Sequence, residues 1–225
     1  MPLKLVIFDV DGTLVDSQGL ILAAMRAAFA EEGLQAPTRE AILGIVGLSL
    51  DVAVFKLVPD LEQTQRARLV DGYKQSYMQL RAAQGAAQSS PFYPGAFDAL
   101  TRLREREDVL LGVATGKSRR GLDKLIAGHG LEGYFVTTQV ADDHPSKPHP
   151  SMIETAMLET GATAAETVMI GDTSFDMEMA AAAGVTGIAV KWGYHPATRL
   201  GAAQAMLDDF GALDGALEQI WGLQP

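Results

Sequence analysis

The chain has 225 residues, 48% of them hydrophobic and 20% charged, enough for one sizeable core or a core with a smaller insert. Its 28 acidic and 18 basic residues give a net charge of −10 with no basic cluster, which argues against a nucleic-acid partner. Without cysteine there are no disulfides or thiolate metal sites, and an anionic ligand needs a local cation, either a metal or a well-placed lysine.

Met1-Pro2-Leu3-Lys4 runs straight into an apolar strand over residues 5–8, so no secretory signal is expected. No apolar stretch approaches the roughly 20 residues of a membrane span, and a cytoplasmic protein with no membrane partner is expected. The first strand stops at Asp9-Val10-Asp11-Gly12-Thr13. Two carboxylates this close repel, and keeping both ionised requires a cation. Two readings stand: a solvated turn closed by Gly12, or an acidic pair used by a metal or a reaction.

Further strands are predicted at 109–114, 134–136, 167–170 and 187–190. Most are continuous apolar runs, which suits strands covered on both faces of a parallel sheet. Helical patterns follow two of them, at 118–127 and 174–183. The alternation predicts an α/β doubly wound domain.

About a hundred residues separate the first two strands, far more than a crossover helix needs. Ile21, Ala24, Met25, Ala28 and Phe29 share one helical face, as do Leu69, Tyr73, Tyr77 and Leu80. Residues 17–88 are expected to be an inserted helical cap, with 1–16 and 89–225 forming the catalytic core. Its entry hinge is expected near 15–17, and the small polar stretch 84–90 is expected to be the return linker.

Ligands of open parallel sheets sit at the carboxyl ends of the strands. There the chain carries Asp9 and Asp11, then Thr115-Gly116-Lys117-Ser118, then Gly171-Asp172 with Asp176 beyond, and Lys147 in a preceding loop. Singly, Thr115 reads as a helix N-cap, Lys147 as a surface lysine, and Asp172 and Asp176 as caps of a helix. Gly116-Lys117-Ser118 ends like a nucleotide-binding loop, but Leu111 stands where that loop needs glycine and Gly112 is one residue short. Lys117 is expected to be exposed, or to stand behind the phosphate as an additional cation.

Taken together, these residues resemble the haloacid dehalogenase superfamily over nearly the whole chain, closest to its phosphoglycolate phosphatase-like branch. Asp9, Asp11 and Thr13 match the first motif, Thr115 the second, Lys147-Pro148 the third, and Gly171, Asp172 and Asp176 the fourth. The resemblance implies a Rossmann-like core, a Mg²⁺ cofactor and a small phosphorylated metabolite as substrate. Asp9 would be nucleophile and metal ligand. Asp11 would give its backbone carbonyl to the metal and shuttle a proton with its side chain. Asp172 would complete the metal site, with Asp176 supporting the metal through water or orienting Lys147. Thr115, Gly116 and Lys147 would hold the phosphoryl group.

The acid at position 11 separates the chain from the superfamily's dehalogenases. The presumed cap has only Lys56 and Lys74, neither marked as the buried lysine that phosphonate hydrolases need. A phosphatase acting through an aspartyl-phosphate is expected, as monomer or homodimer. A sugar phosphomutase and a non-catalytic phosphate-binding protein are the alternatives. In the loop 44–49, Gly47 and Ser49 are candidates to touch the leaving group, or to form an ordinary helix–helix turn. His149, between two prolines, either faces substrate or is exposed.

Overall fold

In the computed structural model, which describes residues 3–222, β1 (Lys4–Phe8) lies near the middle of a six-stranded parallel sheet. The other strands are β2 (Val109–Thr115), β3 (Thr137–Val140), β4 (Thr167–Gly171), β5 (Thr186–Val190) and β6 (Ala205–Leu207), in the order β3-β2-β1-β4-β5-β6. β1 pairs with β2 on one side and β4 on the other, so Phe8 faces Val113 and Ile170 in register. The expected doubly wound α/β core is present.

Side chains of a strand alternate between faces. Val6 and Phe8 enter one apolar cluster, which contains Leu100 and Leu103 of α6 (Ala96–Arg104), Leu122 of α7 (Arg119–His129) and Leu217 of α10 (Leu213–Trp221). Leu5 and Ile7 enter another, with Met152 and Ile153 of α8 (Ser151–Thr160) and Met179 of α9 (Ser174–Ala182). Helices thus cover both faces, which is why the strands read as continuous apolar runs. Phe8 is fully buried, and its truncation to alanine would cost about 3–5 kcal/mol.

Between β1 and β2 run α1 (Gln18–Glu31), α2 (Arg39–Leu43), α3 (Leu50–Leu57), α4 (Gln63–Gln84) and α5 (Ala86–Ser89). Met25, Phe29, Ile42, Val54 and Leu69 form an apolar cluster separate from the two beneath the sheet. The chain leaves the core at Val15, which bridges antiparallel to Phe92, and the Asp16 N–H donates to the Pro91 carbonyl at 2.8 Å.

Two expected elements need correction. Residues 134–136 are not a strand: they form the turn before β3, whose Thr137 and Gln139 are buried because Glu159 and His144 bond them. Within the stretch 84–90, expected as the return linker, the short α5 forms, and its Ser89 Oγ donates back to the Gly85 carbonyl. The predicted helix 174–183 ends one residue early, with Ala183 as its C-cap. The short β6 has no counterpart among the predicted strands. Among the described residues no helix is long and apolar enough to cross a membrane.

Candidate active site

The carboxyl ends of β1, β2 and β4 bring the candidate residues to one edge. The Asp9 N–H donates to the Ile170 carbonyl at 2.9 Å, extending the β1–β4 pairing by one residue, and the Asp9 side chain is buried. Gly12 sits at φ +88°, and a Cβ there would lie 2.2 Å from Asp172 Oδ2, so glycine is required both for the turn and for the approach. On the other side, a Cβ on Gly193 would lie 2.1 Å from Asp172 Cβ.

Asp172 follows β4. Its Oδ1 accepts from Thr13 Oγ1 at 3.0 Å and its Oδ2 from the Tyr194 N–H at 2.8 Å. Asp176 closes a capping box at the start of α9, with its Oδ2 accepting from Thr173 Oγ1 at 2.6 Å and from the Thr173 N–H at 3.0 Å. Its Oδ1 accepts from Lys147 Nζ at 2.7 Å. Lys147 is fully buried, with Nζ also 2.9 Å from Asp9 Oδ1. Both Asp176 oxygens are therefore already engaged, an arrangement that orients Lys147 toward Asp9.

Carboxylate oxygens of Asp9, Asp172 and Asp176 lie within 4.8 Å of one another, all buried. Lys147 pairs its ammonium with Asp9 and Asp176, two of these three acids. Burial pushes Asp9 up to about 7; Lys147 beside it pulls it down, and Asp176 and Asp11 push it further up. Burial, then Asp176 and Asp9, raises Asp172 well above the ordinary carboxylate range. Asp9 Oδ2 is buried and accepts no hydrogen bond. An uncompensated acidic cluster with a free oxygen donor fits a hard divalent cation held by oxygen ligands.

Asp11 points elsewhere. Lys117 Nζ lies 2.7 Å from each of its carboxylate oxygens, and Ser17 Oγ donates to Oδ1. Lys117 also reaches Tyr77 Oη of α4 at 3.1 Å. Burial alone would lower the Lys117 pKa, yet Asp11 and Tyr77 outweigh it and hold it above the usual lysine value. The expectation of an exposed Lys117 is wrong, because its side chain is only 9% exposed, whereas the alternative of a cation beside the site agrees with its position.

Thr115 ends β2 and is buried, with Oγ1 accepting from the Lys117 N–H at 3.3 Å. It is not the N-cap of α7; Ser118 is, accepting from the Gly121 N–H. A Cβ on Gly116 would lie 2.6 Å from the Gly47 carbonyl oxygen, so the loop between α2 and α3 rests directly on the end of β2. Gly47, at φ +98°, and Ser49 line the same cavity as Asp9, Asp11, Thr115 and Gly116. Ser49 caps α3 without a side-chain bond, and its N–H donates to Ser146 Oγ. Lys56 and Lys74 are both exposed, and so is His149, whose Nδ1 accepts from the Ser151 N–H.

The loop after β5 contributes residues that sequence reasoning missed. Trp192 Nε1 donates to the Thr13 carbonyl at 3.1 Å, and Tyr194 Oη accepts from the Ser17 N–H at 3.1 Å. His195 is buried, with Nδ1 accepting from the Ser174 N–H and Nε2 donating to the Gly44 carbonyl. Their signal was available: Trp192-Gly193-Tyr194-His195 stands at the carboxyl end of a strand, where ligand sites of such sheets gather.

Comparison with known proteins agrees with this geometry. A family model described as haloacid dehalogenase-like hydrolase matches residues 6–190. The chain is 36% identical over 219 residues to "Probable phosphatase IndB" of Dickeya dadantii, covering 94% of this chain and 92% of that protein. It is 30% identical over 220 residues to a phosphoglycolate phosphatase of Rhodospirillum rubrum, covering 93% and 89%. The crystal structure of a hydrolase from Pseudomonas syringae superposes with a TM-score of 0.83 at 26% identity, covering 96% of this chain and 99% of that one.

Proposed function

The chain belongs to the haloacid dehalogenase-like hydrolases, and from that premise we propose that it is a Mg²⁺-dependent phosphatase of small phosphomonoesters. The observation that carries the proposal is Asp9: a buried carboxylate with a free oxygen, facing the open cavity and flanked by Lys147 and Asp172. The relatives named as phosphatases support the same reaction class.

Asp9 attacks phosphorus, and the bond from phosphorus to the alcohol oxygen breaks as the aspartyl-phosphate forms. Asp11, having taken up a proton, gives it to the departing oxygen, then takes one back from the water that attacks the acyl phosphate. That second step releases inorganic phosphate and restores Asp9, so one water is consumed per alcohol and phosphate formed. Thr115 and the Gly116 N–H hold phosphoryl oxygens where β2 gives way to α7. Lys147 adds a positive charge that Asp176 keeps aimed at Asp9. Asp9, Asp172 and the Asp11 carbonyl would hold Mg²⁺, with Asp176 behind them. When bound, the ion offsets repulsion between carboxylate and phosphate.

Residues 17–88 act in this reading as a cap that covers the cavity and excludes water during transfer. The loop carrying Gly47 and Ser49 is the part nearest the leaving group. We infer a cytoplasmic enzyme of metabolism that works as a monomer or homodimer.

The test is release of inorganic phosphate by purified protein with Mg²⁺ across a panel of phosphomonoesters. Phosphate released by the wild type and not by Asp9→Asn supports the reading. An isomeric phosphosugar formed without phosphate would establish a mutase instead. No product of either kind would return the chain to a binding protein.

A further inference from the structure

The cavity over Asp9, Asp11 and Thr115 measures about 430 Å³ and extends up to α1, α3 and α4. Its upper wall is apolar and aromatic: Ile21, Met25, Ile45, Leu50, Tyr73 and Met78 all line it. Tyr77, one turn from Tyr73, lines it too, and the two rings stand 5.8 Å apart at 38°. Resting on the phosphatase reading, we propose that the leaving group is a ring-bearing, largely apolar alcohol whose ring lies against Tyr73 and Tyr77, and not a two-carbon acid.

Volume is the first argument. Phosphoglycolate has about nine heavy atoms; even at liquid water's spacing of about 30 Å³ per molecule it would fill roughly 270 Å³. Interior packing is denser than that, so a cavity of 430 Å³ has room for a substantially larger ester.

The wall chemistry is the second argument. A second carboxylate beside apolar side chains loses its hydration and needs a cation in return. The cations lining the cavity are Lys74, Arg81, Lys117 and Arg120. Lys117 is bound to Asp11, Lys74 and Arg120 are exposed, and the Arg81 guanidinium lies 5.8 Å from the centre of the Tyr77 ring. A flat apolar ring suits the tyrosine pair, because aromatic groups in contact favour offset or tilted arrangements at this spacing.

The experiment compares kcat/KM for 2-phosphoglycolate, glycerol 1-phosphate and benzyl phosphate with Mg²⁺ at one pH. All three release an alkyl alcohol, so intrinsic reactivity is comparable. Benzyl phosphate is expected to exceed both 2-phosphoglycolate and glycerol 1-phosphate by about tenfold or more. A preference for 2-phosphoglycolate overturns the ring site while leaving the phosphatase reading intact. Absence of phosphate release from every ester overturns the phosphatase reading and this proposal with it. Tyr73→Ala is expected to lower the ratio of benzyl phosphate to 2-phosphoglycolate by about tenfold, with Tyr73→Phe restoring it. An unchanged ratio in folded Tyr73→Ala overturns the placement of the ring. Should that variant not fold, Met25→Trp fills the same wall and is expected to lower the same ratio; an unchanged ratio there overturns the placement equally.

Discussion

The Lys117 ammonium sits 2.7 Å from both carboxylate oxygens of Asp11, with side chains 9% and 11% exposed, so the two acids of the first motif have separate cations. Asp9 faces Lys147 and the acidic cluster; Asp11 faces Lys117, Ser17 and, through Lys117, Tyr77 of α4. Lys117→Met would leave the Asp11 charge without its cation in a nearly dry site. Removing one partner of a buried pair is strongly unfavourable, and about 3 kcal/mol of stability is expected to be lost, together with a fall in kcat. Urea unfolding and steady-state kinetics check this. Unchanged stability and turnover would show the pair to be incidental.

Asp9→Asn is expected to reduce turnover by at least about 10³-fold, since the amide is a poor nucleophile for phosphorus. The same variant removes one charge from a crowded acidic cluster, so the metal-free protein should not lose stability. Phosphate release and thermal unfolding in a chelator measure the two effects. Substantial residual turnover would rule out an aspartyl-phosphate on Asp9.

The acidic cluster also sets a pH dependence. Asp9 is raised from an ordinary value of 3.8 to about 7, so between those limits the folded chain keeps a proton that the unfolded chain has released. Stability from this group is fully present below about 3.8 and is lost as pH rises through about 7 in the metal-free protein. A cation that replaces the proton is worth most where the proton is gone. Mg²⁺ is therefore expected to raise Tm more at pH 8 than at pH 5.5. Equal increments at both values would exclude Asp9 from the metal site.

Gly116→Ala places a Cβ 2.6 Å from the Gly47 oxygen and 2.7 Å from the Leu48 oxygen, both backbone atoms that cannot swing aside. The loop must lift from the end of β2. Misplacement of a segment that lines the cavity by about 1 Å costs on the order of 10²-fold, and kcat/KM should fall by about that much. A thermal melt close to wild type alongside that loss would locate the effect in the loop. Kinetics identical to wild type would mean that this contact is not made during turnover.

Much of the site was legible in the sequence because its residues sit at strand ends, and strands covered on both faces announce themselves as unbroken apolar runs. Asp9, Thr115 and Asp172 follow such runs directly. Lys147 follows none, and only the motif pattern pointed to it. β3 was misplaced because only Val140 of its buried residues packs in the apolar core, while Thr137 and Gln139 are held by Glu159 and His144. The aromatic stretch just before it imitated a strand. Lys117 was misread because its partner lies 106 residues away, a distance that no local pattern reports. Tyr194 and His195 were missed although they follow β5 just as Asp172 follows β4.

The backbone enters and leaves the helical segment through two stretches that touch. Val15 bridges Phe92 in antiparallel fashion, and Asp16 bonds Pro91. A pair of strands meeting like this is the stem of a hairpin, and a hairpin stem tolerates almost any head, from a two-residue turn upward. Asp9, Thr115, Lys147 and Asp172 belong to the core, while Tyr73, Tyr77 and Met78 belong to the segment beyond that stem. The backbone thus crosses between the two at one seam, but Tyr77 on Lys117, Ser49 on Ser146, Gly44 on His195 and Gly47 on Gly116 tie them together again beside the acids, so a new head on this stem must also restore those four contacts.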